Sequence, residues 1–141
     1  MREGKLIGGN TDAPGFLSDF NKFLGKHQLS IENRKSAIVL GAGGSARSIV
    51  YALLNDSWNV TIAARRIEQA QQLASSFPGY PVSIMNLQTL QLAAGDLVVN
   101  TTPLGMTPNV DQSPLPENVS LPNDMMIYDL VYNPRETKLV L

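Results

Sequence analysis

Ala37-Ile38-Val39-Leu40-Gly41-Ala42-Gly43-Gly44-Ser45-Ala46 runs from an apolar stretch through a glycine-rich turn into a helix-like segment. Gly41 permits the tight turn that leaves the strand, and Gly43 puts no side chain in the way of a phosphate. Ala46 is small where the third glycine of a G-x-G-x-x-G pattern usually stands, so the next helix can pack closely on the strand. The open N–H groups and positive dipole end of that helix then suit an anion. The pattern alone is weak, but its context is not. Ile38, Val39 and Leu40 precede it, and Ile49, Val50, Leu53 and Leu54 follow at helical spacing. The stretch predicts a strand–turn–helix that cradles a dinucleotide; an ordinary strand–turn–helix is the plainer reading.

Working outward, strands and helices alternate. Strand 36–41 leads to helix 44–55, strand 58–64 to helix 67–77, and strand 82–85 to a short helix 87–93 capped by Asn86. Strands at 96–100 and 125–131 follow. Such alternation predicts an α/β, three-layer Rossmann-like open parallel sheet of about five strands in the order 3-2-1-4-5, lacking the last strand. Upstream, Asp12 is a good N-cap for a helix over 13–25, with Pro14 in its first turn and Gly25 at its end. Phe16, Leu17, Phe20, Phe23 and Leu24 give that helix an apolar stripe. The segment 102–124 carries five prolines and no apolar period, which marks a functional or mobile loop.

Composition narrows the classes. The 141 residues, 43% of them hydrophobic and 16% charged, suit one compact domain. A net charge of −1 gives no support for nucleic-acid binding. No apolar run approaches the ~20 residues that span a bilayer, so no membrane partner is expected and the cytoplasm is the default location. With no cysteine and one histidine, no metal site is expected.

The end of the second strand bears on which dinucleotide binds. Ala63-Ala64-Arg65-Arg66 stands where NAD sites place an acid to hold the ribose 2′-hydroxyl, 23 positions from Gly41 to Ala64. An arginine there can take a 2′-phosphate through charge-assisted hydrogen bonds. The alternative is a pair of solvated charges, unfavourably placed at a helix start. The residues favour NADP.

Four separated segments closely resemble the shikimate dehydrogenases and the related quinate/shikimate enzymes: Gly9-Asn10-Thr11-Asp12; Val39 to Ala46; Asn100-Thr101-Thr102-Pro103-Leu104-Gly105-Met106; and Asp129-Leu130-Val131-Tyr132-Asn133-Pro134 with Thr137. The resemblance implies interconversion of shikimate and 3-dehydroshikimate, at C3, with NADP(H), in aromatic amino acid biosynthesis. It implies that Asp12 binds substrate and pairs with a catalytic lysine, and that Gly41, Ala42, Gly43, Gly44, Ser45 and Ala46 form the phosphate turn. Ala64, Arg65 and Arg66 replace the family's Asn-Arg-Thr, keeping the arginine. Thr101 and Thr102 fall on the nicotinamide side, Leu130 on the nicotinamide, and Tyr132 on the substrate. Plainer roles stand beside these: Asp12 as a helix cap, Tyr132 as a half-buried aromatic, and Asn100, Thr101 and Thr102 as partners for backbone groups at a strand end.

By the same resemblance, residues 1–28 correspond to the end of a substrate domain and its connector helix, and 29–141 to a partial NADP-binding domain cut at both ends. The family's lysine motif, its carboxylate-gripping serines and its C-terminal glutamine helix have no counterpart in these 141 residues. The chain alone is therefore expected not to oxidise shikimate, because nothing takes the hydroxyl proton or fixes the substrate carbon. The connector stripe is expected to lose part of its cover and so to offer a route to self-association. The other readings are a stand-alone nucleotide-binding module without catalysis, and a quinate/shikimate relative.

Overall fold

The computed structural model describes residues 13–26, 35–92, 97–103, 113–117, 119 and 125–129. Five parallel strands form one sheet: β1 (Ser36–Leu40), β2 (Asn59–Ala64), β3 (Val82–Asn86), β4 (Leu97–Asn100) and β5 (Met126–Asp129), in the order β3-β2-β1-β4-β5. This is the predicted order. Leu40 pairs with Ala63 on one side and Asn100 on the other, and Asn100 with Asp129, so four strands end level at the carboxyl edge.

Burial of β1 and β4 on both faces explains their unbroken apolar sequences. Ala37 and Val39 join a core with Ile62, Leu97, Val99 and the helices α1 (Ala13–Lys26), α2 (Gly44–Asn55) and α3 (Ile67–Ala74). Ile38, Leu40, Ala63 and Val98 point the other way, towards Leu87, Leu90 and partly buried Leu115 and Met125. Strand periodicity thus sends alternate residues of one run into two cores.

The apolar face of α1 is held by an aromatic cluster. Phe16 and Phe20 stack with centroids 6.0 Å apart, and the Tyr128 ring stands edge-on to both, 5.0 Å from Phe16 and 6.2 Å from Phe20. Trp58 lies 5.8 Å from Phe20. Phe16, Phe20 and Leu24, spaced by four, are buried, while Leu17 and Phe23 are half-buried. Tyr128 and Trp58 thus cover the buried side of this stripe. Trp58 is delivered by the end of α2, where Ser57 adopts φ 67° and the N–H groups of Ser57 and Trp58 return to the carbonyls of Leu54 and Leu53.

Several element ends differ from the sequence reading. Helix α3 stops at Ala74, not 77, because Pro78 cannot extend it; Ser76 and Phe77 instead bond back to Leu73 and Ala74 in tighter turns. The helix expected over 87–93 is a single 3-10 turn, Leu87–Thr89. The Asn86 side chain does cap it, accepting from Gln88 N at 2.8 Å, and Leu90 leaves in an extended conformation. Helix α1 continues through Gly25 to Lys26. Strand β1 ends at Leu40 because Gly41 turns away at φ +106°. Asp12, Leu130 and Tyr132 lie outside the described residues.

The buried Tyr128 hydroxyl donates to the Asp19 carboxylate. Burial, reinforced by that hydrogen bond and by the negative charge of Asp19, pushes the phenol well above the ordinary value of 10.0. A phenol raised in the folded state keeps its contribution below the unfolded value; stability falls as pH rises beyond it, since only the unfolded chain then releases the proton. Tyr128→Phe should cost ~0.5–1.5 kcal/mol near neutral pH and should flatten the loss of stability above about pH 10. Urea denaturation from pH 7 to 11 checks both; identical alkaline slopes in the two proteins would refute the coupling.

Candidate functional site

The turn after β1 is fixed by three contacts. Gly41 N donates to Ala63 O at 2.9 Å, and Leu40 O accepts from both the backbone N and the hydroxyl of Thr101, at 3.0 and 2.6 Å. The Thr101 hydroxyl is thereby packed against the glycine. A Cβ on Gly41 would lie 2.7 Å from Thr101 Oγ1 and 3.1 Å from Thr102 Cγ2, at a φ that side chains rarely adopt. Only glycine fits.

Gly43 and Gly44 are glycines for a different reason. Gly43 is the N-cap of α2 and provides no side-chain cap, and a Cβ on either residue would meet nothing within 4 Å. Both are exposed. The first N–H groups of α2 therefore face open space, the arrangement that suits an anion. Ser45 is exposed on the same turn, while Ala46 is fully buried under the helix, in keeping with the close packing expected of it.

A cleft of about 280 Å³ opens along the carboxyl edge, lined by Gly41, Ala42, Ala64, Arg65, Arg66, Gln69, Leu87, Thr102 and Pro103. A neighbouring cleft of about 410 Å³ is lined by Ala42, Gly43, Gly44, Arg47, Gln69, Gln72 and Leu73. The two share Ala42 and Gln69, and among the described residues no acid lines either. Arg65 and Arg66 are exposed, and Arg66 is the N-cap of α3 without a side-chain cap bond. Ala64, at the end of β2, is buried and small. The structure thus gathers the glycine turn, the arginine pair and Thr102 about one edge. Thr101 stands behind that wall, its hydroxyl engaged by Leu40.

Asn100 and Asp129 are completely buried at the ends of β4 and β5. Asn100 Nδ2 donates to Asp129 Oδ1 at 3.0 Å, and Asn100 Oδ1 accepts from Thr102 N at 2.9 Å and Thr102 Oγ1 at 2.7 Å. Asn100 thus partners one backbone group, Thr102 N, as its plainer reading expects, and two side chains besides. Sequence reasoning missed Gln69, Leu87 and Pro103 as lining residues. Gln69 was findable, because it stands three residues after Arg66 on the first turn of the next helix. Among the described residues no group of His, Asp and Glu side chains could hold a metal ion.

The family profile described as shikimate / quinate 5-dehydrogenase matches residues 24–138. The chain belongs to this family. It is 41% identical over 141 residues to the NADP(+) shikimate dehydrogenase of Carboxydothermus hydrogenoformans, covering 97% of this chain and 49% of that one. With the enzyme of the same description from Methanocaldococcus jannaschii the identity is 35%, over 99% of this chain and 50% of the other. The chain spans about half the length of these curated relatives. The crystal structure of shikimate 5-dehydrogenase from Thermus thermophilus, in complex with NADP(H) and shikimate, superposes with a TM-score of 0.67 at 34% identity, covering 89% of this chain and 43% of that one.

The two kinds of glycine should separate in mutagenesis. Gly41→Ala should lower stability by ~1–3 kcal/mol or more, from the forced φ and the contact with Thr101, whereas Gly43→Ala should melt within about a degree or two of the wild type. Thermal denaturation followed by circular dichroism is the check; equal melting temperatures for the two variants would contradict the turn geometry.

Proposed function

We propose that this chain provides the NADP(H)-binding part of a shikimate dehydrogenase acting between shikimate and 3-dehydroshikimate. The observation that carries the reading is the cleft joining Gly41 and Ala42 to Arg65 and Arg66, with Ala64 where an acid would repel a 2′-phosphate. The two guanidiniums hold that phosphate, and the N–H groups at the start of α2 take the pyrophosphate. Leu87 and Pro103 supply apolar surface between them, and Thr102 forms the wall nearest β4. Thr101 and Leu130 serve the nicotinamide side, and Asp12 and Tyr132 the substrate, as the family resemblance assigns them. When bound, NADP(H) supplies hydride exchange with the alcohol carbon. The known structure containing NADP(H) and shikimate supports the pairing of cofactor and substrate. Residues 1–28 then belong with a substrate domain and 29–141 with the cofactor domain. A cytoplasmic location is part of the same proposal. No helix among the described residues is long and apolar enough to cross a membrane.

Titration calorimetry with NADPH and NADH, on the wild type and on the Arg65→Ala/Arg66→Ala double variant, tests the reading. The wild type should bind NADPH more tightly. The double variant should lose about tenfold or more of that advantage, as expected for one or two charge-assisted hydrogen bonds, while its NADH affinity changes little. Added salt should weaken the NADPH complex more than the NADH complex. Equal wild-type affinities for the two cofactors would defeat the assignment.

A further inference from the structure

Asn100 and Asp129 are the only polar or charged residues among the described residues that are fully buried. They close β4 and β5, where their neighbours Leu97, Val98, Val99 and Tyr128 are apolar or aromatic. Burying an amide and a carboxylate is costly, and an apolar pair could join two strand ends without that cost. Asn100 bonds Asp129 on one side and Thr102, in the cleft wall, on the other.

We propose that Asn100 and Asp129 are positioning residues for the cofactor, setting Thr102 in the cleft wall through the chain Asp129–Asn100–Thr102. The inference rests on the NADP reading. A planar amide has one donor end and one acceptor end, and a carboxylate can only accept. Asp129 Oδ1 therefore dictates which way the Asn100 amide faces: Nδ2 towards Asp129, Oδ1 towards Thr102. With that orientation fixed, Asn100 Oδ1 holds both the backbone N–H and the hydroxyl of Thr102. Thr102 in turn bears on the glycine turn, its methyl 3.1 Å from where a Gly41 Cβ would stand. A residue of β5 thus controls the wall opposite the arginine pair without lining the cleft. The Thr102 wall serves the part of the cleft common to both nicotinamide cofactors, so its effect should not depend on the 2′-phosphate.

A charge-relocating cycle tests this. Asn100→Asp puts two buried carboxyls within hydrogen-bond distance, which share a proton or repel, so binding is measured from about pH 6 to 9 and the chain breaks once both are ionised. The double variant Asn100→Asp/Asp129→Asn keeps the hydrogen bonds of the chain and the net charge: the new carboxylate still accepts from Thr102 and now also accepts from the new amide. Asn100→Asp should weaken NADPH and NADH alike, by about tenfold, the loss expected for one charge-assisted hydrogen bond, leaving their ratio unchanged. The double variant should recover most of that loss. Thr102→Val, which keeps the backbone N–H bond and removes the hydroxyl bond, should give a smaller fall for both cofactors while its melting temperature stays near that of the wild type; it carries the test if Asn100→Asp does not fold. Wild-type binding of neither cofactor would overturn the nucleotide reading and this inference with it. Wild-type binding with Asn100→Asp unchanged, with no recovery in the double variant, or with Thr102→Val unchanged would overturn the positioning role alone.

Discussion

The carbonyl of Leu40 is the point on which this fold turns. It accepts two hydrogen bonds from Thr101, one from the backbone and one from the hydroxyl, and so brings the end of β4 against the residue that leaves β1. That proximity excludes any side chain at Gly41. The chain then bends through a positive φ, and α2 starts with its N–H groups uncovered at the level where four strands end. A helix end open to an anion follows here from backbone geometry; in the proposed function the arginines of the next strand end add the choice between phosphorylated and plain ribose. The ordering is physical: a displaced Thr101 would disturb the turn first and the helix end only as a consequence.

The rest of the chain supports that edge from two sides. On one face α1, α2 and α3 pack over alternate residues of the strands, with Phe16, Phe20, Trp58 and Tyr128 filling the space between α1 and the sheet. On the other, Ile38, Leu40, Ala63 and Val98 meet Leu87 and Leu90 just beyond β3. Leu87 belongs both to that second core and to the cleft, so the packing of one face also sets one wall of the site. Aromatic edges on Tyr128 contribute area and directional contact, and the Asp19 carboxylate satisfies its hydroxyl. A polar group otherwise costly to bury becomes a fixed link between α1 and β5.

Much of this is legible because the signals are local. The run Ile38 to Leu40 before Gly41 identifies a doubly buried strand followed by a turn, and the repeated strand–helix spacing yields the sheet order. The element ends are less legible, since they depend on what stops a helix. Pro78 cuts α3 short of Phe77, and Leu90 leaves the turn capped by Asn86 in an extended conformation, so that only a 3-10 turn forms. The cover on the α1 stripe is invisible in the sequence, because Tyr128 lies over a hundred positions away and no pattern near Phe16 announces it. At the site, the glycines and arginines are readable as residue types with a fixed chemistry. Leu87 and Pro103 are not, because an apolar residue acquires a role in a cleft only through its place. Asn100 reads as a backbone partner from the sequence, but its bond to Asp129 requires the register of β4 on β5.

Arg65 and Arg66 place two cations at the start of α3, where the helix dipole is also positive; Glu68 is the only acid in that first turn. In the absence of a bound anion these charges repel one another and the helix end. An anion that settles among them relieves the part of this repulsion that folding adds, the part against the helix end. Ligand occupancy and foldedness are thereby linked by mass action. A dinucleotide bound as proposed would therefore raise, with its concentration, both the occupied fraction and the folded fraction of the chain.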